Sequence, residues 1–132
     1  MTSSSSLTAQ KEILIIEDDE PLREMLAPAL RMTGLHVRTA GDGLAGLRLL
    51  EAYEPDVVVL DLNLPIATGF DVLKELRAVA KTRLTPVIAI SGMDEYLKAA
   101  RDHGDFVATI PKPFEPDTVV RAVESAIKQY PI

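Results

Sequence analysis

The sequence predicts a doubly wound α/β fold of the (βα)₅ type, in which a five-stranded parallel sheet lies between two layers of helices. Three observations lead to this prediction: short apolar runs rich in β-branched residues, helical segments with one apolar face between those runs, and capping residues at their boundaries. The chain has 132 residues, 47% of them hydrophobic and 26% charged. This length and composition are typical of one globular domain.

Five segments are predicted to be strands. Three are apolar, rich in β-branched residues and too short for helices of usual length, as expected for interior parallel strands: residues 13–16, 57–60 and 87–90. Residues 36–40 alternate between polar and apolar, and residues 106–110 are mixed in character. We therefore expect these last two segments at the edges of the sheet.

Two segments have apolar residues spaced three or four apart, which predicts helices with one buried face. The apolar residues are Leu22, Met25, Leu26, Ala29 and Leu30 in the first segment, and Val119, Val123, Ala126, Ile127 and Tyr130 in the second. Pro116 suits the first turn of the second helix.

Three shorter helices are predicted over residues 44–52, 70–79 and 93–103. Asp42 suits the N-cap of the first of them, and Gly104 suits the end of the third.

The limits of the domain follow from the ends of the sequence. Residues 1–10 are rich in Ser and Thr and offer little to bury, so they are predicted to be a flexible leader. The domain is then expected to cover residues 11–130. Only Pro131 and Ile132 follow the last helix, and we expect no output domain.

Charge and composition narrow the class of partner. A formal net charge of −6 opposes contact with nucleic acid and with anionic lipid, so neither is expected as a direct partner. The chain has no cysteine and only His36 and His103, which argues against disulfides and against zinc sites. Without a secretory signal or an apolar run long enough to span a bilayer, the sequence predicts a cytoplasmic protein.

Charged and hydroxyl residues directly follow four of the predicted strands. Ligands of open parallel sheets bind beyond the carboxyl ends of the strands, so these residues should meet at one edge. They are Glu17, Asp18 and Asp19 after the first strand, Asp61 after the third, Ser91 after the fourth and Lys112 after the fifth. The arrangement predicts a functional site.

Carboxylates that converge in this way repel one another unless a cation lies among them. A set of oxygen ligands without histidine or cysteine suits Mg²⁺, which takes one or two carboxylates and a phosphate oxygen. Lys112 adds a second positive charge. Together with a hydroxyl, these groups could neutralise a phosphoryl group while a carboxylate attacks phosphorus and forms an acyl phosphate.

Four segments occur in order at the ends of successive predicted strands: ILIIEDDEPLR, VVVLDLNLPIATGFDVL, PVIAISG and IPKPF. Together they resemble the response-regulator receiver domain of two-component signalling, over roughly residues 12–129. The resemblance implies a flavodoxin-like three-layer sandwich with strand order 2-1-3-4-5.

The resemblance also implies roles for individual residues. Asp61 is the phosphoacceptor, Ser91 is the switch hydroxyl that bonds the incoming phosphoryl group, and Lys112 contacts the phosphoryl oxygens. The ligands of Mg²⁺ are implied to be Asp18, Asp61, the backbone carbonyl of Asn63 and, through a water molecule, Glu17. Asp19 ranks third among the acidic neighbours, because the following EPLR favours Glu17 and Asp18 as the acidic pair.

Three further features concern the end of the fifth strand. The family usually has Tyr or Phe three residues before the lysine, but this chain has Thr109 there, which puts the aromatic switch in question. Phe106 could take that part only if the register of the strand differs. The segment between Gly104 and Lys112 is one residue longer than is usual, and the bond before Pro113 is expected to be cis.

The predicted function is that of a receiver which accepts a phosphoryl group from a sensor histidine kinase or a phosphotransfer protein. It would catalyse only its own phosphorylation and dephosphorylation. Asn63 and Met93 occupy positions whose residues, in the family, influence the rate of autodephosphorylation. Its output would be contact with a downstream protein target. The alternative is a degenerate receiver that acts as a phosphorylation-independent interaction module.

Two other classes fit the sequence less well. A haloacid-dehalogenase-like phosphohydrolase needs a second aspartate where this chain has Asn63. A flavodoxin-type cofactor site needs a Gly/Ser/Thr-rich loop after the first strand, but the EDDEP segment there would repel a phosphate.

Overall fold

The computed structural model describes residues 11–129, in which five strands alternate with five α-helices. The elements are β1 (Glu12–Ile16), α1 (Glu20–Arg31), β2 (His36–Ala40), α2 (Gly43–Leu49), β3 (Val57–Asp61), α3 (Gly69–Ala78), β4 (Val87–Ser91), α4 (Asp94–His103), β5 (Ala108–Pro111) and α5 (Pro116–Gln129), with a short 3₁₀ turn at Ala80–Thr82. Within this part of the chain, no helix has both the length and the apolar character needed to cross a membrane. The predictions for residues 1–10, for Tyr130 and for the last two residues lie outside the described residues.

The five strands form one parallel sheet in the order β2-β1-β3-β4-β5, which confirms the predicted topology. The strands β2 and β5 lie at the two edges, as their mixed polarity predicted. The register aligns Ile16 with Leu60, Asp61 with Ile90, and Ser91 with Pro111. The last residues of the strands therefore lie side by side at one edge of the sheet.

The core lies on both faces of the sheet, because successive side chains of a strand point to opposite faces. In β1, Ile13 and Ile15 pack in the cluster that includes residues of α1 and α5. Leu14 and Ile16 pack on the other face with residues of α3 and of the segment after α2. All four are fully buried, and burial of each such side chain is worth roughly 1.5–3 kcal/mol.

The helices begin and end at residues suited to those positions. Asp42 caps α2, since its side chain accepts the N–H of Ala45 at 2.7 Å. Gly104 ends α4 with a φ of 75°, a left-handed conformation that glycine adopts without steric cost. Thr68 and Asp71 form a reciprocal capping box at the start of α3, which fixes the loop after β3.

Two predicted boundaries were wrong. The fifth strand begins at Ala108 and not at Phe106, because Phe106 packs its ring against Phe70, with 5.9 Å between centroids, and lies outside the ladder. The second helix ends at Leu49 and not at residue 52, because the next three N–H groups bond three residues back and tighten the chain into a turn.

Candidate functional site

Three of the sequence-predicted carboxylates converge at the carboxyl edge of the sheet. Glu17 directly follows β1, and Asp61 is the last residue of β3, which pairs with β1. One carboxylate oxygen from each of Glu17, Asp18 and Asp61 lies within 4.8 Å of the others. The strand order thus brings together residues that are 44 positions apart in sequence.

Lys112 brings a positive charge to these carboxylates. Its Nζ lies 2.7 Å from Glu17 Oε1 and 3.4 Å from Asp61 Oδ2. Glu17 is completely buried and Asp61 is 1% exposed, whereas Asp18 is exposed. The site is therefore a buried acidic pair that one lysine partly neutralises, with a third carboxylate at its opening.

One oxygen of this cluster has an incomplete set of partners. Glu17 Oε2 accepts the N–H of Asp19 at 3.0 Å. Glu17 Oε1, in contrast, is buried and has no hydrogen bond in the described part of the chain, although Lys112 Nζ lies 2.7 Å from it. The Lys112 ammonium group offsets part of the cost of burying this oxygen, and a bound metal cation would offset more of it.

The three carboxylates fit Mg²⁺ by the chemistry of the donor set. They supply oxygen ligands only, in number and spacing suited to an ion that keeps some of its water. Asp18 is exposed and could bind the ion from the solvent side, opposite the buried pair. The acidic group, with its incompletely bonded Glu17 oxygen, is therefore compatible with a magnesium site.

Burial shifts the protonation equilibria of these groups. Loss of solvation raises the pKa of Glu17 to about 7, although Lys112 and the N–H of Asp19 partly oppose this. Burial also raises the pKa of Asp61 above its usual value. For Lys112 burial alone would lower the pKa, but the two carboxylates outweigh it and raise the pKa. Burial thus disfavours the ionised form of both carboxyl groups, whereas the carboxylates favour the protonated, positively charged form of Lys112.

The loop after β3 fixes the Asp61 side chain. Asp61 Oδ1 accepts the backbone N–H of Asn63 at 3.1 Å. The N–H of Gly69 donates to the carbonyl of Leu62 at 3.0 Å, which closes the loop against the end of the strand. The other carboxylate oxygen, Oδ2, is the one that faces Lys112.

Ser91 is the last residue of β4 and is completely buried. Its Oγ accepts the N–H of Met93 at 3.0 Å, and its carbonyl accepts the N–H of Lys112 at 2.8 Å. The hydroxyl is therefore fixed by the turn into α4, and the backbone of the same residue positions the lysine.

The remaining predicted residues lie on or beside β5. Thr109 is half-buried and lies opposite Ala89, so an aliphatic hydroxyl side chain occupies the position that the family usually gives to an aromatic ring. Phe106 is two residues ahead of the strand. The Lys112–Pro113 peptide bond is cis.

The two aspartates in the loop after β1 occupy different positions. Asp18 belongs to the metal-capable group, whereas Asp19 is exposed and occupies the N-cap position of α1. Sequence reasoning missed Arg23, whose Nη1 donates to the carbonyl of Glu17 at 2.7 Å and holds the acidic segment in place. The only sequence signal for this contact is the position of Arg23 in the quoted motif, six residues after Glu17.

Replacing Asp61 with asparagine is expected to stabilise the metal-free protein. Ionisation of Asp61 at neutral pH costs folding free energy because its pKa is raised in the folded state. Asparagine removes the charge and keeps an oxygen for the N–H of Asn63. We expect the free energy of unfolding in EDTA to rise by about 1–2 kcal/mol, measured by urea denaturation.

The same substitution should abolish the stabilisation by Mg²⁺, which for the unaltered chain reaches about 2.7 kcal/mol at a hundredfold excess over Kd. Asp102→Asn is the matched control, because this side chain is 67% exposed in a surface pair with Lys98. A fall in metal-free stability for Asp61→Asn would contradict the electrostatic account.

The chain is similar in sequence to a known protein family and to characterised relatives. The family described as "Response regulator receiver domain" matches residues 13–124. The chain is 30% identical over 132 residues to the transcriptional regulatory protein PdtaR of Mycobacterium tuberculosis, covering 98% of this chain and 62% of PdtaR. It is 34% identical to the DNA-binding response regulator MtrA of Mycobacterium bovis, covering 92% of this chain and 53% of MtrA. The chain thus spans little more than half of these relatives.

A solved structure agrees with the fold. The receiver domain of the sensor histidine kinase PA1611 from Pseudomonas aeruginosa is 27% identical and superposes with a TM-score of 0.79, covering 91% of this chain and 99% of that domain. That structure contains a magnesium ion coordinated in its active-site cleft. The family match, these relatives and the strand order lead to one conclusion: the chain belongs to the response regulator receiver domain family.

Proposed function

We propose that Asp61 accepts a phosphoryl group in a Mg²⁺-dependent reaction and that the modified domain signals through contact with another protein. The observation that supports this most directly is the convergence of Glu17, Asp18 and Asp61 with the Lys112 ammonium group at the edge of the sheet. A receiver that had lost its chemistry would have no need for buried carboxylates, which cost stability.

In the proposed reaction, an Asp61 oxygen attacks phosphorus while the bond between phosphorus and the donor nitrogen breaks. The electron pair of that bond stays on the donor histidine, and the product on this chain is an acyl phosphate. Hydrolysis by water would restore the Asp61 carboxylate and release inorganic phosphate. When bound by Asp18, Asp61 and the Asn63 carbonyl, with Glu17 acting through a water molecule, Mg²⁺ would neutralise phosphoryl charge.

The side chains around Asp61 have separate parts in this proposal. Lys112 lies 3.4 Å from Asp61 Oδ2 and is positioned to contact the oxygens of a phosphoryl group attached there. The Ser91 hydroxyl accepts the Met93 N–H and would donate its own O–H to a phosphoryl oxygen. A movement of this hydroxyl towards the phosphoryl group is the local change through which phosphorylation would reach α4, because Met93 directly precedes this helix.

The partners belong to the same proposal. The phosphodonor would be a sensor histidine kinase or a phosphotransfer protein, and the location would be cytoplasmic, where the ATP that such kinases use is found. Some relatives are named as DNA-binding or transcriptional regulators. We predict that this domain itself does not bind nucleic acid directly, because the chain has a formal net charge of −6.

The test is the intact mass of the protein after incubation with acetyl phosphate, with Mg²⁺ or with EDTA. We expect one phosphoryl adduct that requires Mg²⁺ and is lost in Asp61→Ala. Asp19→Ala is the control, because Asp19 is a neighbouring exposed carboxylate outside the metal-capable group. Its adduct should form at nearly the unaltered rate.

The competing function is the phosphorylation-independent interaction module. Thr109 is the observation in its favour, since the usual aromatic reporter is absent. Absence of an adduct from acetyl phosphate and from a panel of autophosphorylated kinases would refute phosphoacceptance and favour the module. An adduct that persists in Asp61→Ala would place the chemistry on another residue.

A further inference from the structure

Arg23, in α1, binds the acidic loop after β1 at two points. Its backbone N–H donates to the Asp19 carbonyl at 3.0 Å, and its Nη1 donates to the Glu17 carbonyl at 2.7 Å. The first bond belongs to the start of the helix and does not depend on the side chain, whereas the second requires a long side chain with a donor at its end. The two carbonyls lie on either side of Asp18 in the chain. One residue thus fixes the backbone around that aspartate.

The guanidinium group of Arg23 also contacts the end of the neighbouring strand. The Glu17 N–H donates to the carbonyl of Ala40, the last residue of β2, at 3.0 Å. Gly41 comes next, and a Cβ there would lie 3.3 Å from Arg23 Nη1 and 3.6 Å from its Cζ. The guanidinium group therefore occupies the space beside Gly41 that a side chain would narrow. Arg23 is half-buried and is held against the ends of both strands.

Asp18 depends on this backbone more than the other two carboxylates of the metal-capable group. Glu17 and Asp61 are buried, and each accepts a backbone N–H of its own loop. Asp18 is exposed, and within residues 11–129 its side chain has no hydrogen bond or ion pair. Mg²⁺ demands nearly ideal octahedral geometry, so it binds less tightly to a ligand that its surroundings do not hold in place. The backbone of the loop is what can hold Asp18.

We propose that Arg23 is a positioning residue for the metal site, whose bond to the Glu17 carbonyl holds Asp18 where it can bind Mg²⁺. This inference rests on the Mg²⁺ site of the proposed function and adds a residue outside the ligand set. None of the ion pairs within the described residues includes Arg23, so its contact with the loop is a hydrogen bond to the backbone. A positive charge near the site would weaken the binding of a cation. The charge and the hydrogen bond of Arg23 therefore have opposite effects on Mg²⁺ affinity, and an experiment can separate them.

The experiment measures Mg²⁺ binding directly and labelling separately. The dissociation constant of Mg²⁺ is obtained from the shift of the Asn63 amide resonance in ¹⁵N-labelled protein, and the rate of labelling by acetyl phosphate is recorded over a range of Mg²⁺ concentrations. The variants are Arg23→Met, the conservative Arg23→Lys and Gly41→Ala. Gly41 does not have the left-handed φ that would itself disfavour alanine.

Arg31→Met is the matched control. Arg31 lies about two turns further along α1, and its Nη2 also donates to a strand carbonyl, that of Val37, at 2.8 Å. The substitution removes the same charge and the same kind of bond, but away from the acidic loop. Arg23→Met and Arg31→Met should therefore lower the midpoint of thermal unfolding in EDTA by similar amounts. A general loss of stability could not then explain a difference in Mg²⁺ affinity.

We expect Arg23→Met to raise the dissociation constant of Mg²⁺ roughly tenfold, because the group that positions a metal ligand is lost. Its labelling rate should return to nearly that of the unaltered chain at saturating Mg²⁺. Arg23→Lys should bind Mg²⁺ more tightly than Arg23→Met, since an ammonium group can still donate to the Glu17 carbonyl. Gly41→Ala should weaken binding severalfold, because its Cβ displaces the guanidinium group. Arg31→Met should bind Mg²⁺ as the unaltered chain does.

Unchanged or tighter Mg²⁺ binding by Arg23→Met would overturn the proposal, and tighter binding would show that only the charge of Arg23 acts on the site. An equal loss of affinity in Arg31→Met would also overturn it, since the position of Arg23 beside the loop would then have no special effect. If the unaltered chain itself bound no Mg²⁺, the metal site of the proposed function would fail, and this inference would fail with it.

Discussion

Replacing Lys112 with methionine is expected to lower the free energy of unfolding of the metal-free protein by about 3 kcal/mol. The substitution removes the cation that lies 2.7 Å from Glu17 and 3.4 Å from Asp61 and leaves two buried carboxylates without it. The pKa of Lys112 is raised in the folded state, so its contribution is fully present at pH 7 and is lost only in strongly alkaline solution. Urea denaturation in EDTA at pH 7 measures the loss.

Magnesium should restore a large part of that stability, because a divalent cation can replace the missing charge among the carboxylates. Lys98→Met is the matched control: Lys98 pairs with Asp102 at 2.9 Å, but the two side chains are 72% and 67% exposed. Its effect should stay within about 0.5 kcal/mol. If Lys112→Met and Lys98→Met had equal effects, the buried charge cluster would have no special part in stability.

Replacing Gly69 with alanine is expected to destabilise the domain by about 2–3 kcal/mol and to slow labelling by acetyl phosphate severalfold. A Cβ at this position would lie 2.6 Å from the Asp61 carbonyl oxygen and 2.8 Å from Leu62 Cα. Both are backbone atoms, so the first turn of α3 or the end of β3 must move. Either movement displaces the acceptor carboxylate from its bond with the Asn63 N–H.

Gly92→Ala is the control for this second substitution. Gly92 lies in another loop of the same edge, but a Cβ there would meet nothing closer than Lys112 Cβ at 3.8 Å, an ordinary contact. We expect its unfolding midpoint and labelling rate to stay near those of the unaltered chain. Equal behaviour of the two alanine variants would show that the close approach of α3 to β3 is not required.

These two substitutions act on different properties of the site. Lys112 balances charge, whereas Gly69 provides the space that lets α3 begin directly against the acceptor strand. The site therefore depends both on a balance of charge among its side chains and on enough space between α3 and β3. Only the first is suggested by residue type, since a lysine after a strand near acidic residues has an evident partner.

The sequence predicted most of the fold because its signals are local. β-branched runs gave the interior strands, and the alternation of strands with amphipathic helices gave the parallel sheet. The N-cap at Asp42 and the helix end at Gly104 were also predicted, since capping depends on a few adjacent residues. The start of β5 was predicted wrongly, because Phe106, in the segment before the strand, packs against the ring of Phe70 on α3.

By itself, the sequence determined the class of fold and the set of residues at the carboxyl edge, because strand ends and their flanking residues are properties of the chain order. The tertiary structure decided which atoms meet: that Lys112 lies closer to Glu17 than to Asp61, and that Arg23 holds the loop after β1. It also decided the left-handed conformation of Ile66. Distances, burial and backbone strain depend on how distant segments pack, and that information is not present in any single stretch of sequence.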